Sequence, residues 1–304
     1  MDLNKSIQKA KRKNLVRIAG ISILITLVSL GLLIVALDKI ATNNYRKLDK
    51  ALFNYQTIAA PNTQIDSQVI ANSSFLGGDV VTNQSKNIDG YIVPWSSLRS
   101  KYTTWRNSID YNELTNSWYH SDQNSYEYNR QTKQKVATFY HPSIKKYYDN
   151  VKNELPELKK MDNYVAEVAI SFDRPYTYRE VQEMLPENIN VVWLYLFSEE
   201  RDERVGPSGM PVYGFQLSND AKNNSADKDN FFDSFDTHFA SAGNKQAAAF
   251  IKENKDKKMD ELPVLGVMVT GQTQNLTELE NQSYIRGSSI GVTVPTVPYI
   301  TPEK

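Results

Sequence analysis

No cysteine occurs in the chain. Disulfides, thiolate metal sites and cysteine nucleophiles are therefore excluded, and the redox compartment is left undecided. Histidine is scarce as well. His120, His141 and His238 are the three in 304 residues, and no two stand at metal-ligand spacing; His238 falls on or beside a phenylalanine stripe, where a packed histidine is the plainer reading. There is no Gly-rich phosphate loop, no G-x-S-x-G elbow and no H-E-x-x-H helix, so the usual marks of nucleotide, acyl-transfer and zinc-protease chemistry are missing.

Nor is there an excess of either charge. The 35 Lys+Arg balance 35 Asp+Glu, yet six of the bases (Lys5, Lys9, Lys11, Arg12, Lys13, Arg17) and a single acid fall in residues 1–17. The rest carries 29 bases against 34 acids. It lacks the basic face that displaces counterions from phosphates, and no nucleic-acid partner is expected. Ser143-x-x-Lys146 and Ser225-x-x-Lys228 match the serine-lysine pattern of penicillin-recognising enzymes, but the Lys-Thr-Gly element those enzymes need is absent. The acidic cluster Glu199, Glu200, Asp202 and Glu203 is interleaved with Arg201 and Arg204 and reads as a solvated charged turn. The sequence thus nominates no catalytic residue, no cofactor-binding residue and no metal ligand. The expectation is a protein that is not an enzyme and takes no cofactor.

What the chain does have is one long apolar run. From Ile18 to Leu37 twenty residues pass without a charge, about 30 Å of helix at about 1.5 Å per residue, the thickness of a bilayer's hydrocarbon core. A cleaved signal peptide is the alternative. Its apolar region is usually shorter, about 7–15 residues, and ends at small residues, which Val35-Ala36-Leu37-Asp38 matches poorly. An uncleaved anchor is favoured. The six preceding bases place the N-terminus in the cytoplasm by the positive-inside rule, leaving most of the chain extracytoplasmic at the cell membrane.

Beyond the span, Ala41, Tyr45, Leu48, Leu52, Tyr55 and Ala59 recur at spacings of four and three. Two readings of this seam stand: a stalk packed on its own domain, or a stalk that pairs with a second copy. Pro61 ends it. Gly77-Gly78, Asp89-Gly90 and Pro94 break residues 62–95 into short apolar runs, as strands and turns do. Residues 96–135, rich in Tyr, Asn, Ser and Gln, fit either strands with aromatic faces or a long loop.

From His141-Pro142 a helical stretch is expected towards Lys160. Tyr164, Ala166, Val168, Ile170 and Phe172 alternate with more polar neighbours, as on a half-buried strand. Thr177-x-x-Glu180 is a capping box opening a short helix that ends at Pro186. Val191 to Phe197, Val212 to Leu217, Leu262 to Thr270, and Ile290, Val292 and Val294 read as further strands. Phe232, Phe235, Phe239 and Ala242 form a helical stripe closing at Gly243, and Thr273 is placed to cap a helix bearing Leu276 and Leu279.

The fold class expected is α+β: an N-terminal transmembrane helix and helical stalk, a β-rich segment, then a C-terminal α/β sandwich-like sheet domain. The corresponding division is a basic cytoplasmic tail at 1–17, the span at 18–37, the stalk at 38–60, a β-rich extracytoplasmic region at 61–160 and the C-terminal domain at 161–304.

The basic segment Ile7-Gln8-Lys9-Ala10-Lys11-Arg12-Lys13 is similar to the N-terminal segment of the bacterial sigma-factor-regulator family. The C-terminal half resembles that family's C-terminal domain. The resemblance is carried by Phe139-Tyr140-His141-Pro142, the run from Tyr164 to Asp173 with Pro175-Tyr176, Glu180-Val181, Trp193 and Tyr213-Gly214-Phe215. It continues through Gly266-Val267, Val269-Thr270-Gly271, Leu276, Leu279 and Ser288-Ser289-Ile290-Gly291-Val292.

The resemblance implies an envelope protein of Gram-positive bacteria that helps control an extracytoplasmic-function sigma factor. Members acting as anti-sigma factors carry a cytoplasmic domain ahead of the span, where this sequence offers 17 residues. Direct sequestration is therefore not expected. The reading is a membrane-anchored sensory or accessory subunit that contacts a protein partner, an anti-sigma factor or another membrane component. The alternative is a cell-envelope binding module for wall polymer or a surface protein, without a transcriptional role.

Overall fold

The computed structural model describes residues 3–110, 116–121, 124–147, 150–200, 211–218, 221–240 and 243–304. Tail, span and stalk are one helix. The helix α1 (Leu3–Ala59) runs for 57 residues without a break, about 85 Å. Residues 3–36 are exposed along it, whereas Ala41, Leu48, Leu52 and Ile58 are buried. The seam is thus used inside the molecule: Ala41, Leu48 and Leu52 pack with Val80 and Tyr102, and Tyr45 lies with its ring 5.4 Å from that of Tyr102. The self-packed stalk is what the structure contains.

The first sheet is an antiparallel meander, β1 (Gln64–Ser74), β2 (Gly77–Ile88), β3 (Tyr91–Thr103) and β4 (Asn107–Asp110), in the order β1-β2-β3-β4. Asp89 and Gly90, with φ of 54° and 92°, make the tight turn between β2 and β3. Pro94 does not break β3. It pairs with Ser85 beside a bulge that sets Trp95 and Ser96 against Gln84, a place where a strand tolerates proline. A separate hairpin, β5 (Asn116–His120) with β6 (Ser125–Asn129), follows, so the described part of 96–135 is largely strand.

The described residues of 141–154 are not helical; from residue 141 to 160 the helical segment among the described residues is a 3-10 turn at Leu155–Lys160. The carbonyls a helix would use are taken elsewhere, since the Arg286 guanidinium donates to His141 O, to Pro142 O at 2.9 Å and to Ile144 O.

The second sheet is wholly antiparallel, in the order β11-β7-β10-β8-β9. Its strands are β7 (Tyr164–Thr177), β8 (Asn190–Phe197), β9 (Tyr213–Gln216), β10 (Pro263–Gln272) and β11 (Ile285–Pro295). The architecture is α+β, as expected. On one face lie α2 (Tyr178–Met184), α3 (Asn224–Phe239) and α4 (Lys245–Asn254). They bury Val181, Phe231, Phe232, Phe235 and Ala247 against Val168, Ile170, Leu194, Leu196, Val267 and Val269.

The capping box at α2 forms: Glu180 N–H donates to the Thr177 hydroxyl and the Thr177 N–H donates to the Glu180 carboxylate at 2.7 Å. Ala242 lies outside the described residues. The helix α4 was not anticipated, although Ala247, Phe250, Ile251 and Asn254 have helical spacing behind the Asn244 cap. Thr273 is not the cap of the short α5 (Thr273–Leu276); its hydroxyl donates to Met161 O at 2.6 Å and Tyr164 O at 3.1 Å, tying β10 to the start of β7.

Candidate functional site

The strand β7 departs most from its expected reading. It is buried on both faces, not one: Val165, Glu167, Ala169 and Ser171 are as enclosed as the apolar set between them. The polar face looks towards the first sheet. There Glu167, fully buried, meets Lys86 of β2, whose Nζ lies 2.8 Å from Oε1 and 3.0 Å from Oε2. Asn62, in the turn that ends α1, donates from Nδ2 to Glu167 Oε2 at 2.8 Å and shares that amide with Asn87 O at 3.0 Å. The Lys86 ammonium also sits 4.2 Å from the centre of the Trp95 ring, a cation–π contact that offsets part of its desolvation.

Three chain segments converge on this carboxylate: the end of the membrane helix, the first sheet and the second sheet. An unpaired charge at this depth costs several kcal/mol, so the pair holds the sheets in one register and punishes separation. Gly291 on β11 leaves room for it, since a Cβ there would stand 2.5 Å from Glu167 Oε1.

A second polar contact closes the same junction from outside. The C-terminal segment returns to the β2–β3 turn, where Asp89 Oδ1 accepts from Asn190 Nδ2 at 2.9 Å and from Lys304 N–H at 3.0 Å. Among the described residues its Oδ2 finds no hydrogen-bond partner. Burial, followed by the nearby Glu303 charge, pushes the Asp89 carboxyl up to about 6 against the Lys304 and Asn190 hydrogen bonds. Tyr91 adds its hydroxyl, donating to Ile300 O at 2.8 Å.

The features singled out in the sequence do not assemble. His141 is held locally, accepting at Nδ1 from Ser143 N–H at 3.2 Å, and burial lowers its pKa. Its Nε2 lies 4.0 Å from Glu200. His238 packs beside Phe239 and Tyr213, with its pKa lowered by burial. The Lys228 ammonium donates to Lys255 O and Lys257 O at the end of α4, a structural use of the second serine-lysine pattern. Arg201, Asp202, Glu203 and Arg204 lie outside the described residues.

Among the described residues no group of three or more His, Asp or Glu is gathered for a metal ion. A small, shallow cleft of about 20 Å³ lies under the β5–β6 hairpin, lined by Trp118, Tyr126, Tyr140, Lys135, Lys152 and Glu154. Lys135 is committed there to Glu154 and, at 2.7 Å, to Ile290 O, and burial lowers its pKa.

The sequence reading missed Glu167, Lys86, Asn62 and Asp89. The available signal was a lone charge inside the apolar stretch Tyr164–Phe172.

One long apolar helix leads into the two larger antiparallel sheets, whose buried polar chemistry joins them, and that helix fits a single-pass membrane anchor. Two family descriptions match the chain, sigma factor regulator N-terminal over residues 4–93 and sigma factor regulator C-terminal over residues 158–292. The chain belongs to the sigma factor regulator family. Its role is accordingly regulatory and anti-sigma-factor-like, and the family implies a sigma factor or membrane protein as partner. Lys86 falls in the first matched region and Glu167 in the second, so the buried pair joins the two family regions. No curated protein and no solved structure matches the chain.

Proposed function

We propose that the protein is an extracytoplasmic sensory or regulatory component of an extracytoplasmic-function sigma-factor system, acting by protein–protein contact. The N-terminus is cytoplasmic, in keeping with the six bases ahead of the span, and both sheets lie outside. The observation that carries this reading is the continuity of α1: it leaves the span without a break, and its last turns enter the hydrophobic cores of both sheets through Leu48, Leu52 and Ile58. Any event that shifts the outer body therefore tilts or rotates the span, a rigid coupling of the kind two-state switches use. The division into tail 1–17, span 18–37, stalk 38–60, region 61–160 and domain 161–304 is part of the proposal.

The test compares transcripts of cells with and without the protein under cell-wall stress. A changed sigma-factor regulon, restored by the wild-type chain, is expected; an unchanged transcript profile overturns the reading. Topology is read separately. Because the chain has no cysteine, an Ile300→Cys variant in intact cells is expected to react with an impermeant maleimide.

One observation favours a second reading, a binding module for wall polymer or a surface protein. Trp118 and Tyr119 on β5 are exposed, and Trp118 lines the cleft with Tyr126, a stacking surface for sugar rings. Sedimentation of the detergent-solubilised protein with purified wall polymer would support it.

A further inference from the structure

We propose that the lower tips of the first sheet dock into the interfacial layer of the bilayer that α1 spans, so that the outer body is seated on the lipid surface. The inference rests on α1 crossing the membrane but holds for either orientation. The β1–β2 turn presents Phe75 and Leu76, exposed at 42% and 38%, and the β3–β4 turn presents Trp105, exposed at 77%. The two turns are one unit: Thr104 N–H donates to Leu76 O at 3.0 Å, and Gly77 pairs with Thr103. Phe75, Leu76 and Trp105 gather three large apolar side chains at one end of a mostly polar sheet, whose other exposed large apolar residues are Val69, Ile70 and Ile92.

The membrane helix fixes where this patch sits. Asn44 donates from Nδ2 to Thr103 O at 2.8 Å, and Asn107 Nδ2 donates to Asn44 O at 3.1 Å, pinning the β3–β4 turn to α1 seven residues beyond Leu37. Seven residues of helix raise Asn44 about 10 Å above the hydrocarbon edge. The headgroup layer is roughly 5–8 Å deep on each side. Trp105 lies two residues past Thr103, which returns the chain by up to about 6–7 Å at strand rise. The tips therefore reach the headgroup layer, where tryptophan partitions preferentially. The flanking Arg46, Lys101 and Arg106 are exposed and supply positive charge for anionic headgroups. A body held both by the span and by its own tips transmits a change in its tilt to α1.

The absence of cysteine allows a clean test on the full-length protein in liposomes of zwitterionic and anionic phospholipid. Single nitroxide labels are placed by Leu76→Cys, Trp105→Cys, Ile92→Cys and Ile25→Cys, and collisions with oxygen and with a water-soluble nickel chelate are compared. Ile92 is exposed at 59% at the opposite end of β3, about 36 Å along the strand from Thr103. An oxygen-to-chelate ratio several-fold higher at 76 and 105 than at 92 is the expected result. Labels at 76 and 105 as open to the chelate as the one at 92 would overturn the proposal, and so would labels shielded from both reagents, which would mean a protein covers the patch. The Ile25 label separates the failures: deep in the membrane, it leaves the anchor standing; open to the chelate, it removes the anchor and the seating together. A second measurement needs no new cysteine. Brominated phospholipid is expected to quench wild-type tryptophan emission more than that of Trp105→Phe, and equal quenching overturns the proposal.

Discussion

The two sheets are held by different forces. In the second sheet the helix-covered face of the central strands is filled with aliphatic and aromatic side chains, including the run Phe197, Phe231, Phe232, Phe235 and Phe250. The first sheet is laced by polar side chains. Gln64 donates to Ser85 at 2.9 Å, Asn83 to Ser67 at 3.0 Å, Ser97 to Asn83 at 2.7 Å and Ser96 to Gln84 at 3.0 Å, while Gln84 reaches Gln56 of α1 at 2.9 Å.

Each such bond nets only about 0.5–1.5 kcal/mol, whereas burying one large apolar side chain is worth about 1.5–3 kcal/mol. The first sheet is thus the weaker body, dependent on α1 and on the Lys86–Glu167 junction. It is expected to open before the second. For a regulator this places the yielding part between the membrane and the stable domain.

That contrast can be broken most severely at the junction. Glu167→Leu leaves Lys86 buried without its partner and is expected to cost about 3–5 kcal/mol. The paired change Lys86→Met with Glu167→Met recovers most of the loss, because no charge is then buried. Urea melts of the full-length variants in micelles measure both; equal losses for the single and the double change would mean that desolvation is not the governing term.

Leu48→Ala tests the first sheet alone. It empties a site between α1, Val80 and Tyr102 and should cost about 2–4 kcal/mol. Hydrogen exchange should accelerate in β1–β3 and stay unchanged in β7 and β10. Uniform acceleration would show the two sheets to be one cooperative unit.

The smallest effect belongs to Asp89. Its carboxyl titrates near 6 in the fold and near its ordinary value when unfolded. Below the unfolded value both states hold the proton and there is no penalty. As pH rises towards 6 the unfolded chain ionises first, so stability falls; above 6 the penalty is complete and constant. Asp89→Asn keeps an acceptor for Asn190 and Lys304, tolerates the positive φ, and removes this fall of about 1–3 kcal/mol. Stability of the variant measured from pH 4 to 7 is therefore expected to decline less than that of the wild type.

How much of this was legible in the sequence follows the same division. The five strands of the second sheet declared themselves through apolar periodicity, and Thr177 with Glu180 through the cap pattern. Their order did not, because β10 enters between β7 and β8 by pairing at long range, which no local pattern records. Residues 141–154 misled because Ile144, Tyr147 and Val151 have helical spacing, yet Tyr140, Ile144 and Tyr147 form a small separate cluster and Arg286 occupies the carbonyls. Glu167 was hidden by an assumption: on a half-buried strand a polar residue faces water, and here that face is covered by another sheet. Lys86, inside the polar run Thr82–Asn87, gave no local hint that it is buried.

The most direct test of the regulatory account is crosslinking of the tagged full-length protein in its native membrane, followed by mass spectrometry of the captured partners. Recovery of an anti-sigma factor or a sigma factor, lost when α1 is interrupted between the span and Asn44, is the predicted result. Recovery of wall-synthesis or surface proteins alone, unaffected by that interruption, would contradict it.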